Sequence, residues 1–65
     1  MTKEAEKALA NTKSLAALVN SLIPMAKDLD LARLLKQIEA DLMDLQHKLS
    51  MVVKLSQRTD DGQSG

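Results

Sequence analysis

Asp44 and His47 are the residues of this chain whose types and spacing come nearest to a chemical site. A carboxylate followed three positions later by a histidine is the pattern that holds metal ions inside helical di-metal bundles, where both side chains point inward. Here Leu42 and Leu45 take the inward positions, which turns Asp44 and His47 outward. We interpret the pair as solvated surface, with an exposed metal contact as the alternative. Lys48 is expected to form a surface ion pair with Asp44, one helical turn away.

The hydroxyl and glycine residues form no catalytic pattern. A lone serine is not an activated nucleophile, and we find no pairing in sequence with a histidine base for Ser14, Ser21, Ser50 or Ser56. Gly62 and Gly65 lie near the C-terminal end and make no phosphate-binding loop. The sequence therefore predicts a protein that is not an enzyme and that needs no metal or cofactor.

The element that must position these residues is an apolar stripe from residue 31 to residue 52. Its spacings alternate between four and three, a heptad pattern that predicts a helix burying one side against other helices. We expect this second helix to run from about residue 31 to about residue 57. The stripe consists of Leu31, Leu35, Ile38, Leu42, Leu45, Leu49 and Val52.

An earlier stripe with smaller side chains predicts a first helix from about residue 3 to about residue 27. Thr2 is its predicted N-cap, and Glu4 and Glu6 suit the positive end of the helix dipole. The stripe comprises Ala5, Ala8, Thr12, Leu15, Val19, Leu22, Ala26 and Leu29.

Pro24 falls within the span of the first helix. A proline inside a helix removes one backbone hydrogen bond and costs about 3 kcal/mol, yet Leu22 and Ala26 keep the heptad phase on either side of it. We therefore predict a helix that is kinked at Pro24. The alternative is a first helix that ends near Leu22 and a helix that restarts at Pro24, since proline is favoured at a first helical position.

The heptad phase breaks between Leu29 and Leu31, where the chain must turn. Asp28 or Asp30 is predicted to cap the second helix, and a short connection makes the two helices antiparallel neighbours. This arrangement gives one all-α helical-hairpin domain over residues 1–58. The polar segment 59–65 is predicted to be a disordered tail.

The length of the chain indicates that the hairpin does not act alone. With 65 residues, it has too much surface for its volume to bury both stripes by itself. Cysteine is absent, so oligomerisation is the remaining means of stabilisation. We expect two hairpins to pair into a homodimeric four-helix bundle. The predicted oligomer core is Ala8, Leu15, Val19, Leu22, Leu29, Leu31, Leu35, Ile38, Leu42, Leu45, Leu49 and Val52.

Charge and hydropathy limit the classes of partner. Nine basic residues balance nine acidic ones, so there is no cationic excess to hold a nucleic-acid backbone. The N-terminal residues lack the apolar segment of a signal peptide. The longest uncharged run, residues 14–26, is too short to span a bilayer. These observations favour a cytoplasmic protein without membrane contact.

The outward side of the second helix carries apolar residues that a bundle core does not need. Met43, His47 and Met51 follow helical spacing there, and methionine adapts its shape to binding partners. We predict these three as a partner-binding surface, with a widened core stripe as the alternative for the two methionines. A widened stripe is the interpretation for the flanking residues Leu34, Val53 and Leu55.

The chain resembles the Rop family, the plasmid repressor-of-primer proteins. The matching residues, spread over the whole length, are Met1-Thr2-Lys3, Ala8-Leu9, Leu22, Leu29-Asp30, Glu39 and Asp60-Asp61-Gly62. The resemblance implies a homodimeric four-helix bundle of helical hairpins that binds paired RNA loops through its first helices. Of the positions that match this RNA-binding face, Lys3 keeps a cation; the others carry Ala10, Ser14, Leu18 and Met25. Without several cations or an aromatic ring, RNA affinity is expected to be poor.

Taken from the sequence, the favoured function is a non-enzymatic interaction module. It would be a homodimeric regulator, adaptor or chaperone-like protein that docks helix against helix on another protein. One alternative is a Rop-like RNA-binding regulator of plasmid replication. The other is a structural scaffold with no partner beyond itself.

Overall fold

The computed structural model describes the backbone of residues 1–64 and the side chains of residues 1–58. Helix α1 spans Thr2–Leu22, a short 3₁₀ turn spans Ile23–Met25, and helix α2 spans Leu29–Ser64. The two helices pack against each other as a hairpin. The predicted all-α hairpin is therefore confirmed, and the part of the chain described contains no strand.

The hairpin is one layer thick. Its principal dimensions are 56 × 14 × 10 Å, which leaves room for two helices side by side and none stacked on them. The longest corresponds to α2, whose 36 residues give about 54 Å at the helical rise. A single layer of two helices has no second layer to cover the side that faces away from the hairpin core.

Helix α1 begins at Thr2, so the prediction that Thr2 is its N-cap is wrong. Thr2 lies in the first turn, and Met1 flanks the helix without a side-chain cap. The Ala5 N–H donates to the Met1 carbonyl at 3.0 Å, and the Met1 ammonium group lies 3.2 Å from Glu4 Oε1. Met1 provides the flanking carbonyl and the charge partner, while Glu4 occupies the acidic first-turn position that the sequence predicts.

Pro24 ends α1 instead of kinking it. The helix stops at Leu22, whereas the sequence favoured continuation to about residue 27. Because Pro24 has no N–H to give the Asn20 carbonyl, the Ile23 N–H donates to it and tightens the last turn. The Ala26 N–H closes the 3₁₀ turn on the Ile23 carbonyl at 3.1 Å, and Ala26 is extended, with ψ of 130°. The alternative end near Leu22 matches the structure, but a single 3₁₀ turn stands where it placed a new helix.

Asp28 caps α2. Its Oδ1 accepts a hydrogen bond from the Leu31 N–H at 2.7 Å, and its carbonyl accepts the Ala32 N–H at 3.1 Å. These are the two bonds of an N-cap residue, so the helix begins at Leu29, ahead of the predicted residue 31. Asp30, the other predicted candidate, lies in the first turn, where its charge favours the positive helix end.

At its other end α2 continues to Ser64, past the predicted end near residue 57. The sequence predicted a disordered tail over residues 59–65, and Gly65 lies outside the described residues. Extending a helix that already exists adds one hydrogen bond for each residue fixed, which is easier than starting a new one. The helical backbone therefore passes through a polar segment that would not begin a helix.

The hairpin core is small and lies between the helices. Ala16, Val19 and Leu42 are buried together, and Leu35 packs against them. Thr12 is also buried, and its Oγ1 donates to the Ala8 carbonyl at 2.8 Å, so its hydroxyl is not left without a partner. Among the described side chains no large one is completely buried. One hairpin therefore covers only part of the apolar surface that its sequence carries.

Candidate interaction surfaces

The two heptad positions of each helix have different environments. In α1 the residues Ala5, Thr12 and Val19, spaced by seven, are buried against α2. In α2 Leu42 is buried, and Leu35 and Leu49 are half-buried. The other heptad position of each helix remains open to solvent, with exposures from 38% to 48%, at Leu15, Leu22, Leu31, Ile38 and Leu45.

These open positions form one surface, which we call the leucine face. An apolar groove of about 230 Å³ is lined by Leu22 of α1, by Leu31 and Leu35 of α2, and by Met25 and Ala26 at the turn. The open rows of α1 and α2 therefore lie on the same side. Leu18 and Leu34, which are more exposed, stand one helical turn from members of these rows. The leucine face comprises Leu15, Leu18, Leu22, Met25, Leu31, Leu34, Ile38 and Leu45.

The remaining residues of the predicted oligomer core lie at the margins. Ala8 and Val52 are half-buried toward the open end of the hairpin. Leu29 is exposed at the first position of α2. Of the residues predicted to widen the stripe, Val53 is half-buried, while Leu34 and Leu55 are exposed. In one chain the predicted core is thus divided between a closed interior and an open face.

The total surface area measures how much the hairpin leaves uncovered. A folded monomer of this mass is expected to expose about 4,100 Å², and this chain of 7.1 kDa exposes 5110 Å². The excess of about 1,000 Å² exceeds the roughly 800 Å² that each partner contributes to a standard protein interface. The surface is therefore large for a single folded chain and sufficient for a stable interface.

The opposite side of the hairpin is polar where the helices meet. The Asn20 side-chain amide donates a hydrogen bond to Glu39 Oε2, which ties α1 to α2. Further along, an open groove of about 250 Å³ is lined by Leu9, Lys13, Met43, Gln46, His47 and Ser50. Gln46 Nε2 also lies 3.6 Å from Met43 Sδ. We call this feature the Met43 groove; its lining is mainly polar and includes the apolar side chains of Leu9 and Met43.

Of the three predicted partner-binding residues, two line the Met43 groove and one does not. Met43 and His47 line the Met43 groove, together with Lys13 and Leu9 of α1; Leu9 is a residue that the sequence prediction missed. Met51 is exposed but does not line the groove, because it stands seven residues after Asp44 and shares the outward side of α2 with it. Asp44 pairs with Lys48 at 3.1 Å, as the sequence predicts, and both side chains are well exposed.

Lys3, the cation that the predicted resemblance places on an RNA-binding face, is exposed at the start of α1. The other matching positions, Ala10, Ser14, Leu18 and Met25, are exposed too. Leu18 and Met25 belong to the leucine face, whereas Lys3 does not. These positions therefore form no cationic surface.

Among the described side chains no three His, Asp or Glu residues come together in a way that could hold a metal ion. No helix in the described range combines the length and the apolarity needed to cross a bilayer.

No protein-family model matches the sequence, and comparisons with curated proteins and with solved structures give no significant match. Interpretation of the surfaces therefore depends on their own geometry and chemistry.

Proposed function

We propose that this chain is a non-enzymatic interaction module that pairs with a second copy of itself and docks on another protein. Two hairpins would meet through their leucine faces as a homodimeric four-helix bundle. The opposite sides of the bundle would remain free for a protein partner. In this role the protein is a small regulator or adaptor, and its chemistry is recognition by helix packing.

The observation that supports this proposal is the open leucine face. Its residues come from the same heptad stripes as the buried core, so the pattern that closes one hairpin continues onto a surface with nothing against it. Stable helical domains bury their apolar stripes between at least two layers, and a copy of the same hairpin supplies the second layer. The excess of total surface over that expected for a folded chain of this mass supports the same conclusion.

Self-association is tested by changing two open positions at the centre of the leucine face, Ile38 and Leu45. The variant Ile38→Lys with Leu45→Lys places two charges where apolar surface must lose its water, which is costly without a partner charge. Analytical ultracentrifugation should give a dimer for the parent chain and a monomer for the variant. Met51→Lys is the matched control, because Met51 is exposed on α2 away from this face.

A parent chain that sediments as a stable monomer at micromolar concentration would contradict the assembly. A variant that remains dimeric would place the interface elsewhere on the hairpin. Binding to another protein is tested separately by affinity capture with the dimer as bait. Recovery of RNA with a steep dependence on salt would favour the Rop-like alternative instead. Recovery of nothing would favour a scaffold without a further partner.

A further inference from the structure

We infer that the Met43 groove binds an acidic amphipathic helix of the partner protein. This inference rests on the proposed function, since it names the site and the chemistry of the partner for the docking step. The groove lies on the side of the hairpin away from the leucine face, so a second copy of the chain would leave it open. Leu9 of α1 and Met43 of α2 are the apolar residues in its otherwise polar lining.

The first argument is charge. The sequence has no net charge, yet cations gather on the flank that carries the groove. Lys13 lines the groove directly. Lys36 stands one heptad before Met43 on α2. Arg33 stands two heptads before His47, and Lys54 stands one heptad after it. A seven-residue spacing returns each side chain to the same side of the helix.

The acidic residues on this flank do not cancel these cations. Glu6 stands one heptad before Lys13, and Glu39 stands one heptad before Gln46. Glu39 already accepts the hydrogen bond from Asn20. Four cations against two carboxylates give the flank a positive balance, which is complementary to an acidic partner.

The second argument is shape. The groove is lined from both α1 and α2, and a depression between two packed helices is a surface on which an amphipathic helix can lay its apolar face. Lys36 and Lys54 are 18 residues apart on α2, which is about 27 Å at the helical rise and the length of a helix of roughly 18 residues. Met43 in the lining can adapt its shape to the apolar side chains of such a helix.

The probe for this site is a fluorescein-labelled 18-residue peptide with one leucine row flanked by glutamates. A second peptide keeps the leucine row and carries lysine in place of every glutamate. Fluorescence anisotropy with the full chain should show the acidic peptide binding at least tenfold more tightly than the basic one. The two peptides have the same apolar row, so equal binding would overturn the role of the cations.

Three variants locate the binding. Lys13→Glu with Lys54→Glu should weaken the acidic peptide by about tenfold, because two exposed attractions become repulsions. Lys7→Glu with Lys27→Glu changes the net charge equally on residues away from the groove and should have little effect. Met43→Gln keeps the length and helix propensity of the side chain and should weaken binding by removing an apolar side chain from the lining. Equal effects of the two charge variants would overturn the site.

The same samples separate this inference from the proposed assembly. Sedimentation reports the oligomeric state, while anisotropy reports the groove. A dimer that ignores the acidic peptide overturns the groove and leaves the assembly standing. A monomer that binds it overturns the assembly and leaves the groove standing. An RNA stem-loop is the last competitor. If it displaces the acidic peptide and binds more weakly to the Lys13→Glu, Lys54→Glu variant, the cations of the flank bind RNA phosphate groups and the inference is overturned.

Discussion

The Asn20 side-chain amide donates a hydrogen bond to the Glu39 carboxylate and so links α1 to α2. Glu39 is half-buried, beside the core formed by Val19 and Leu42. A directional bond at this point fixes which residues of α1 lie opposite which residues of α2, a choice that apolar contacts alone leave loosely defined because they have no direction.

Asn20→Ala should destabilise the chain by about 1–2 kcal/mol, since the half-buried Glu39 carboxylate loses its donor. Urea denaturation followed by circular dichroism measures the change. Asn11→Ala is the control, because Asn11 is an exposed residue of the same helix. Equal losses for the two variants would mean that the effect comes from the helix and not from the bond to Glu39.

Asp28→Ala should cost about 0.5–2 kcal/mol, the usual effect of losing an N-cap. The Leu31 N–H would then lose the acceptor that now lies 2.7 Å away. Asp30→Ala is the comparison, since Asp30 lies in the first turn and acts only through its charge. Thermal melting of both variants checks the assignment, and a larger loss for Asp30→Ala would make Asp30 the cap.

Leu42→Ala should destabilise the chain by about 2–5 kcal/mol, the range for truncating a buried leucine. Leu45→Ala is expected to cost a similar amount if the leucine face is covered by a second copy. In a free hairpin, where Leu45 is 43% exposed, its loss should be clearly smaller. Chemical denaturation at several protein concentrations separates these cases, because a bimolecular interface becomes more stable as concentration rises.

His47→Ala should change stability by no more than about 0.5 kcal/mol, as is normal for exposed positions. His47 is exposed at the edge of the Met43 groove, where the described contacts give it no hydrogen bond. Calorimetry at constant protein concentration measures the effect. A loss as large as that of Leu42→Ala would mean that this side of α2 is covered in the assembled protein.

Heptad spacing was sufficient to predict the hairpin because period 3.5 specifies which residues share one side of a helix. The spacing could not show which heptad row of each helix is buried between the helices and which remains exposed to solvent. Leu42 and Leu45 are the same residue type in neighbouring heptad positions, and only the rotation of each helix in the hairpin distinguishes them. That rotation depends on contacts between residues distant in the sequence, such as Asn20 with Glu39.

Some local features could not be predicted because the sequence fitted two arrangements equally well. Asp28 and Asp30 are both good N-caps, and the backbone at the turn determines which of their side-chain oxygens accepts the hydrogen bond from a first-turn N–H. Pro24 fits either a kink or a helix end, and the extended conformation of Ala26 selects the end. Leu9 was missed as part of the groove, although the row Leu9, Ala16 and Ile23, spaced by seven, could have indicated a further apolar edge on α1.

The 10 Å thickness of the hairpin has a consequence for hydrogen exchange. Every described residue lies close to solvent, so in a lone chain the backbone amides around Val19 and Leu42 should be the best protected from exchange. If a second copy covers the leucine face, slow exchange spreads to the outer heptad rows, and the fraction of chains that are folded then depends on protein concentration. Dilution alone would lower that fraction, which makes the cellular abundance of the protein a control on how much of it is folded.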